Sequence, residues 1–345
     1  MKKHANTLFV STEGCYVAKS GECLLVRKEN KTLVSLPIHT LEGVVCFGRV
    51  GFSPFALGLC GEHGVSVAFL TQNGRFLSRM SGPQHGNVLL RRSQFRAAES
   101  PEQTALLSRC FLTGKISNAR TVLLRFLRDH SDKTQDEIVE QAILRLKGIL
   151  DFLWRPAALS LDQIRGTEGE AAKLYFSVFD KMIVSQKDDF FFHERSRRPP
   201  LDNVNALLSF VYSLLANDVR TACESVGLDP QMGFLHADRS GRPSLALDMM
   251  EELRPFLADR LVLSLINRRQ VSATGFSTRE NGAVTMNDNA RRTVLRAYQE
   301  RKNETIKHPY LDESITLGLV THVQARLLAR FLRGDLDMYP TFIWR

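Results

Sequence analysis

The sequence predicts an α+β protein of two domains, a β-sandwich-like amino-terminal domain over residues 1–80 and a larger, mostly α-helical domain over residues 100–345. Three observations carry that prediction. Up to residue 80, short runs alternate apolar and polar side chains and are separated by turn pairs such as Ser20-Gly21 and Glu29-Asn30. Residues 81–99 contain Gly82, Pro83 and Gly86, which break regular structure and mark a linker. Beyond residue 100, apolar residues recur every three or four positions, the period of packed helices.

In the first domain, residues 7–10, 22–28, 32–35 and 43–47 read as strands. Ser53-Pro54 opens a short helix that ends near Gly61 to Gly64. The run VSVAFLTQNGRFLSRM, residues 65–80, reads as a hairpin turning at Asn73-Gly74. In the second domain, Ser100-Pro101-Glu102-Gln103 is a capping box with proline at the first helical position. Helical periods continue over residues 116–128 and 136–154, and Ser160 with Gln163 has the spacing of a second capping box. Residues 187–200, KDDFFFHERSRRPP, interrupt the helices, and Asp202 then caps a long helix running towards Cys223. Ser244 reads as the cap of a helix from Leu245 that kinks or restarts at Pro255, with helix resuming over residues 259–269. Asn281-Gly282 suggests a small hairpin, Asn287 or Asp288 caps a basic helix over residues 290–302, and a last helix covers residues 314–332. The aromatic tail YPTFIWR, residues 339–345, either docks on a partner, docks on the domain's own groove, or frays.

Composition narrows the partners. Lys and Arg number 46 against 37 Asp and Glu, a net charge of +9, which favours a polyanion. Residues 1–95 alone hold 11 Lys or Arg against 5 Glu and no Asp. Arg75, Arg79, Arg91 and Arg92 near the end of that region are candidates for phosphate contact, or form a solvated face. Phe190, Phe191 and Phe192 precede Arg195, Arg197 and Arg198, a mixture that suits base stacking and phosphate binding as well as it suits packed aromatics beside a basic loop. Six cysteines without a CxxC pair argue against a zinc ribbon or disulfide framework and for reduced, buried thiols. No apolar run reaches the length of a membrane span and the amino terminus opens no secretory segment, so a cytoplasmic protein is expected.

The stretch FLHADRSGRPSLALDMMEELRP, residues 234–255, sets His236 before a polar turn with Arg239 and Arg242, and then Asp248, Glu251 and Glu252 on a helix. Asp248 and Glu251 are three apart and share a face. An imidazole with carboxylates makes a mixed nitrogen and oxygen site suited to Mn²⁺ or Mg²⁺. Glu168 is a candidate for a further oxygen ligand, flanked by Gly166 and Gly169, whose lack of bulk suggests a close approach. Residue types alone equally allow a structural histidine and solvated carboxylates. His193 is another histidine by type, but nothing pairs it with the site. No P-loop and no Ser/His/Asp constellation appears, which leaves metal-assisted phosphodiester chemistry as the fit to a basic protein with such a site.

Three segments decide among these readings. RGTEGEAAKLYF (residues 165–176), RPPLDNVNALLSFVYSLL (198–215) and GFLHADRSGRPSLALDMMEELRP (233–255) resemble, in order and separation, the CRISPR-associated spacer-acquisition integrase and endonuclease family called Cas-one. The similarity spans nearly the whole chain. The resemblance implies that Glu168, His236 and Glu251 are catalytic metal ligands for Mn²⁺ or Mg²⁺, with Asp248 as a supporting residue; some relatives carry aspartate where Glu251 stands. It implies insertion of a short DNA duplex into a CRISPR array by 3′-hydroxyl attack, a homodimer formed through the β domain, a small dimeric partner called Cas-two and, in the type I-C systems it looks closest to, assistance from a nuclease called Cas-four. The alternatives are a structure-specific metal-dependent repair nuclease and a non-catalytic DNA-binding scaffold.

Overall fold

The computed structural model describes residues 7–29, 31–41, 43–72, 76–80, 82, 88–130, 137–155 and 159–344, the side chain of Phe76 aside. Eight strands form the amino-terminal part: β1 (Thr7–Val10), β2 (Tyr16–Ser20), β3 (Cys23–Lys28), β4 (Lys31–Pro37), β5 (Gly43–Phe47), β6 (Gly51–Phe52), β7 (Ser66–Leu70) and β8 (Phe76–Met80). They make two four-stranded sheets, ordered β1-β5-β7-β8 and β4-β3-β2-β6. In the first, β5 pairs parallel with β1 and β7 while β8 returns antiparallel. Helix α1 (Pro54–Glu62) starts at the expected serine, whose hydroxyl accepts from Ala56 N at 3.1 Å. The sheets and α1 share a core of Val10, Val17, Leu24, Val44, Leu59 and Val67, as a sandwich-like domain requires. The Asn73-Gly74 turn, Pro83 and Gly86 lie outside the described residues.

All five residues of β5 are buried, because both faces of its sheet are covered. Val44 and Cys46 face the sandwich core. Val45 and Phe47 belong to the core of the helical part, where Phe47 meets Phe210 with ring centroids 5.7 Å apart. Strand periodicity thus lets one strand serve two cores.

The helical part begins earlier than the sequence suggested. Residues 88–99, expected as linker, form helix α2 (Val88–Glu99), with Leu90, Gln94 and Ala97 buried. Gln94 donates to the carbonyls of Asp229 and Met232 at 2.8 Å and accepts from Asp229 N at 2.9 Å, anchoring the loop that leads to His236. The two helical periods expected over residues 100–128 merge into one 29-residue helix, α3 (Pro101–Asp129). α4 (Glu137–Leu153), α5 (Leu161–Ser177) and α6 (Asn203–Ser225) follow. α5 carries the full capping box at Ser160 and Gln163, and Asp202 caps α6 by accepting from Asn205 N at 2.7 Å.

Helix α7 (Ser244–Met250) corrects the expected cap: Pro243 precedes the first turn, and the buried Ser244 hydroxyl donates to Ala237 O at 3.3 Å. The α-helix also stops before Glu251. Pro255 lacks an N–H and its ring opposes the carbonyl four residues back, and the chain instead runs through a turn into a π-helical segment (Arg254–Asp259) before α8 (Arg260–Asn267). The expected hairpin is β9 (Phe276–Thr278) with β10 (Val284–Met286), followed by α9 (Asp288–Asn303) capped by Asn287. Residues 305–316, β11 (Thr305–Lys307) and β12 (Ser314–Thr316), form a second small hairpin, so α10 (Leu317–Leu332) starts three residues later than expected.

The aromatic tail docks on its own chain. Tyr339 and Phe342 are buried. Asn118 bridges the Phe342 and Glu252 carbonyls at 3.0 and 2.7 Å, and Trp344 sits under Arg125 and Arg260, 3.8 and 4.3 Å from its ring. Gly114 is required here: a Cβ on it would lie 2.7 Å from Glu252 and 2.8 Å from Thr341. Among the described residues no helix is long and apolar enough to cross a membrane.

Candidate metal and phosphodiester site

Three elements converge on one cation. α5 contributes Glu168, the turn after α7 contributes Glu251, and α3 contributes Lys115, whose ammonium pairs with Glu168 Oε1 and, at 2.9 Å, with Glu251 Oε2. Arg254, one helical turn on from Glu251, holds its other oxygen at 2.7 Å. Glu251 is 2% exposed. Burial pushes its carboxyl up, but Arg254 and Lys115 outweigh burial and hold it down at about 2. Glu251 is therefore a carboxylate at any physiological pH.

His236 is oriented from behind. Asp248 is fully buried; its Oδ2 accepts from the N–H groups of Phe234 and Leu235 at 2.6 and 3.0 Å, and its Oδ1 from that of His236 at 3.0 Å. The same Oδ1 lies 2.6 Å from His236 Nδ1. A carboxylate that accepts so many donors fixes the proton on Nδ1 and leaves the Nε2 lone pair outward, the usual way a ligating imidazole is prepared. Gly233 permits this, since a Cβ there would stand 2.8 Å from Asp248 Oδ2. Arg165 Nε donates to Leu235 O at 2.8 Å and ties α5 to the histidine loop.

The donor set fits a hard divalent cation: two carboxylates, Glu168 and the buried Glu251, and the imidazole of His236. As arranged, no three His, Cys, Asp or Glu side chains among the described residues converge on a single metal position. The Lys115 ammonium takes the middle of the site. Glycines 166 and 169 meet nothing within 4 Å, so the close approach expected at Glu168 is an open strip along α5.

Beside the carboxylates lies a cleft with Lys115, Arg197, Arg254 and Asp259 among its walls and Tyr175, Phe176 and Tyr212 giving it an aromatic lining. The arginines singled out by sequence divide into two groups. Arg197, Arg198 and Arg239 are exposed. Burial first, and then the nearby Arg239, Arg165 and Arg198, push the Arg242 guanidinium down, which places these cations around the histidine loop. Two others are structural. Arg79 is 3% exposed and bound to Glu224 at 2.7 Å and Thr221 at 3.1 Å. Arg195 is tied to Asn205 at 2.6 Å and Ser209 at 3.1 Å. Phosphate contact is thereby corrected to interior pairing for Arg79, while Arg195 is half-buried with its guanidinium bound to α6. Arg75 lies outside the described residues. Phe190 and Phe192 are core residues and only Phe191 is exposed, so the aromatic run is packing rather than a stacking platform. His193 is exposed and meets Phe191 instead of the site. Sequence reasoning missed Lys115, which no motif marks, and Arg254, whose i,i+3 spacing from Glu251 was legible.

Comparisons with known proteins agree on one family. The family model described as CRISPR associated protein Cas1 matches residues 8–300. A CRISPR-associated endonuclease Cas1 from Chlorobaculum tepidum is 56% identical over 345 residues, all of both chains. A fusion of CRISPR-associated exonuclease Cas4 with endonuclease Cas1 from Geobacter sulfurreducens is 35% identical over 98% of this chain and 60% of the fusion. Among solved structures, a Cas1 protein from Thermotoga maritima matches with a TM-score of 0.80 at 21% identity, covering 97% of this chain and 99% of that one. A chain of a Cas6-RT-Cas1–Cas2 complex matches with a TM-score of 0.82 at 22% identity, covering 100% of this chain and 36% of that one. The structural likenesses establish the α+β fold.

Proposed function

This chain belongs to the CRISPR-associated Cas1 endonuclease family, and from that premise we propose that it inserts short duplex DNA into a CRISPR array by metal-dependent attack of a DNA 3′-hydroxyl on a phosphodiester. The observation that carries this reading is the gathering of Glu168 and Glu251 around one cation, with the nearby His236 imidazole held through Nδ1 by Asp248. Glu168, His236 and Glu251 would hold Mn²⁺ or Mg²⁺. A bound divalent ion polarises a phosphoryl oxygen and makes the attacking hydroxyl more acidic. Asp248 keeps the imidazole in its ligating tautomer, and Arg254 keeps Glu251 ionised. Arg197, Arg198, Arg239 and Arg242 supply positive charge where the DNA backbone would pass. With water as nucleophile the same groups would support endonuclease cleavage.

The partners follow from the same premise. β4 is an edge strand exposed along most of its length, with Leu33 and Val34 presented to solvent, which suits a homodimer formed through the β domain. We take a small dimeric Cas2 protein as the second component, since a structural relative was solved in a Cas1–Cas2 complex. The Cas4 fusion among the relatives supports assistance by Cas4; the type I-C setting rests on the resemblance of the three segments alone, and the place of action is the cytoplasm where the array resides.

The test is strand transfer of a labelled duplex into a supercoiled plasmid bearing a leader and repeat, with Mn²⁺, with and without Cas2. Wild type should join at the repeat only with Cas2, and Glu168→Ala should lower joining by at least about 100-fold. Equal joining by the variant would overturn the assignment of Glu168 to the site, and cleavage of branched DNA without Cas2 and without joining would make the chain a repair nuclease.

A further inference from the structure

We propose that Lys115 is the resident counter-cation of the metal site: a divalent ion displaces its ammonium from Glu168 and Glu251, and the freed ammonium joins Arg197 and Arg254 in the adjoining cleft as part of a phosphate-binding wall. This rests on the metal reading above and adds to it a residue and a coupling.

The charges motivate the idea. Glu168 and Glu251 carry two negative charges, and Lys115 and Arg254 answer them with two positive ones, so the cluster is neutral without metal. A divalent ion entering between the carboxylates meets a positive charge already there, and like charges at that distance do not coexist. Arg254 is held in place by its bond to Glu251 and by its planar packing over the Tyr212 ring at 5.0 Å. Lys115 is the one that can yield. Its backbone is fixed in α3 by the buried Ile116, but its four-carbon stem rotates, and its side chain is 12% exposed on the wall of the cleft. With the ion bound, the cluster carries two positive charges in excess of its carboxylates, which a phosphodiester offsets in part. Metal binding and DNA binding are therefore coupled through one side chain, each tightening the other.

Mn²⁺ affinity measured by calorimetry at pH 8 without DNA tests this in wild type, Lys115→Met, Lys115→Gln and Glu168→Gln. Removing an internal competitor raises the fraction of protein ready to accept the ion, so both lysine variants should bind Mn²⁺ about tenfold more tightly than wild type, while strand transfer at saturating Mn²⁺ falls. On wild-type protein, acetylation of Lys115 followed by mass spectrometry should be slow in EDTA and accelerate in Mg²⁺, with no acceleration in Glu168→Gln; this arm stands even where a lysine variant fails to fold. Unchanged or weaker Mn²⁺ binding in the lysine variants, or metal-independent acetylation, overturns the proposal. Wild type that binds no Mn²⁺ sensitive to Glu168→Gln overturns the metal reading itself, an outcome distinct from wild type that binds normally with lysine variants that do not differ.

Discussion

Asp248 would never touch the metal it serves, yet His236 depends on it twice, through the backbone N–H and through Nδ1. Replacing it by asparagine trades one acceptor oxygen for a donor aimed at N–H groups that are already donors. Asp248→Asn should therefore weaken Mn²⁺ binding by about 10–100-fold, the usual cost of losing a group that orients a ligating histidine. Calorimetry on the variant checks it, and an affinity equal to wild type would show that the imidazole is held by its loop alone. The cysteines behave oppositely. Burial pushes Cys46, Cys60 and Cys110 up to about 12, which keeps them as inert thiols rather than nucleophiles.

At the scale of elements, the site is assembled from pieces that cannot hold it separately. The turn carrying Glu251 interrupts what would be a continuous helix, and the carboxy-terminal tail braces it from behind. Glu252 turns away from the site; its Oε2 accepts from Phe342 N at 2.9 Å and Gln324 at 3.0 Å. Burial nonetheless pushes its carboxyl up to about 8. Phe342 is wholly buried against Phe256 in the π-helical segment, ring centroids 5.4 Å apart. Truncating it empties that space, and Phe342→Ala should cost about 3–5 kcal/mol of stability, measured by urea unfolding. A cost below about 1 kcal/mol would mean that the tail merely rests on the surface.

For the whole molecule, the two parts are joined by β5, by α2 and by buried ion pairs, so arginines that look alike in sequence do different jobs. Arg79 of β8 reaches Glu224 of α6, and Lys302 of α9 reaches Asp218 at 2.8 Å and Thr7 of β1 at 3.2 Å. Glu224 keeps Arg220 at 3.2 Å when Arg79 is removed, so Arg79→Ala should cost the charged hydrogen bonds alone, about 1.5–3 kcal/mol, without changing the salt dependence of DNA binding. Arg239→Ala should do the reverse, leaving stability within about 0.5 kcal/mol and reducing the slope of log affinity against log salt by about 1. Unfolding curves and salt titrations of both variants separate the two roles; a reduced slope for Arg79→Ala would return that residue to the DNA interface.

The sequence by itself determined the elements with strong local signals and nominated the candidate site residues. The cap at Asp202, the capping box at Ser160 and Gln163, the short apolar run of β5 and the hairpin at Asn281-Gly282 are each specified within a few residues, because cap hydrogen bonds and turn chemistry act locally. Glu168, His236, Glu251 and Asp248 were legible through the resemblance that three long segments carry together, and residue types alone left them open. Tertiary structure decided what no local rule contains. Residues 88–99 became a helix because Gln94 finds three backbone partners more than 130 residues away. The Arg79 side chain became interior because its partner Glu224 comes from a distant helix, and Arg195 is tied to α6 because its loop folds back on that helix. Lys115 reached the centre of the site because the packing of α3 against α5 and the turn after α7 brings side chains 53 and 136 positions away to one point. A buried cation has to be answered by whatever anions the fold delivers, and only the fold says which those are.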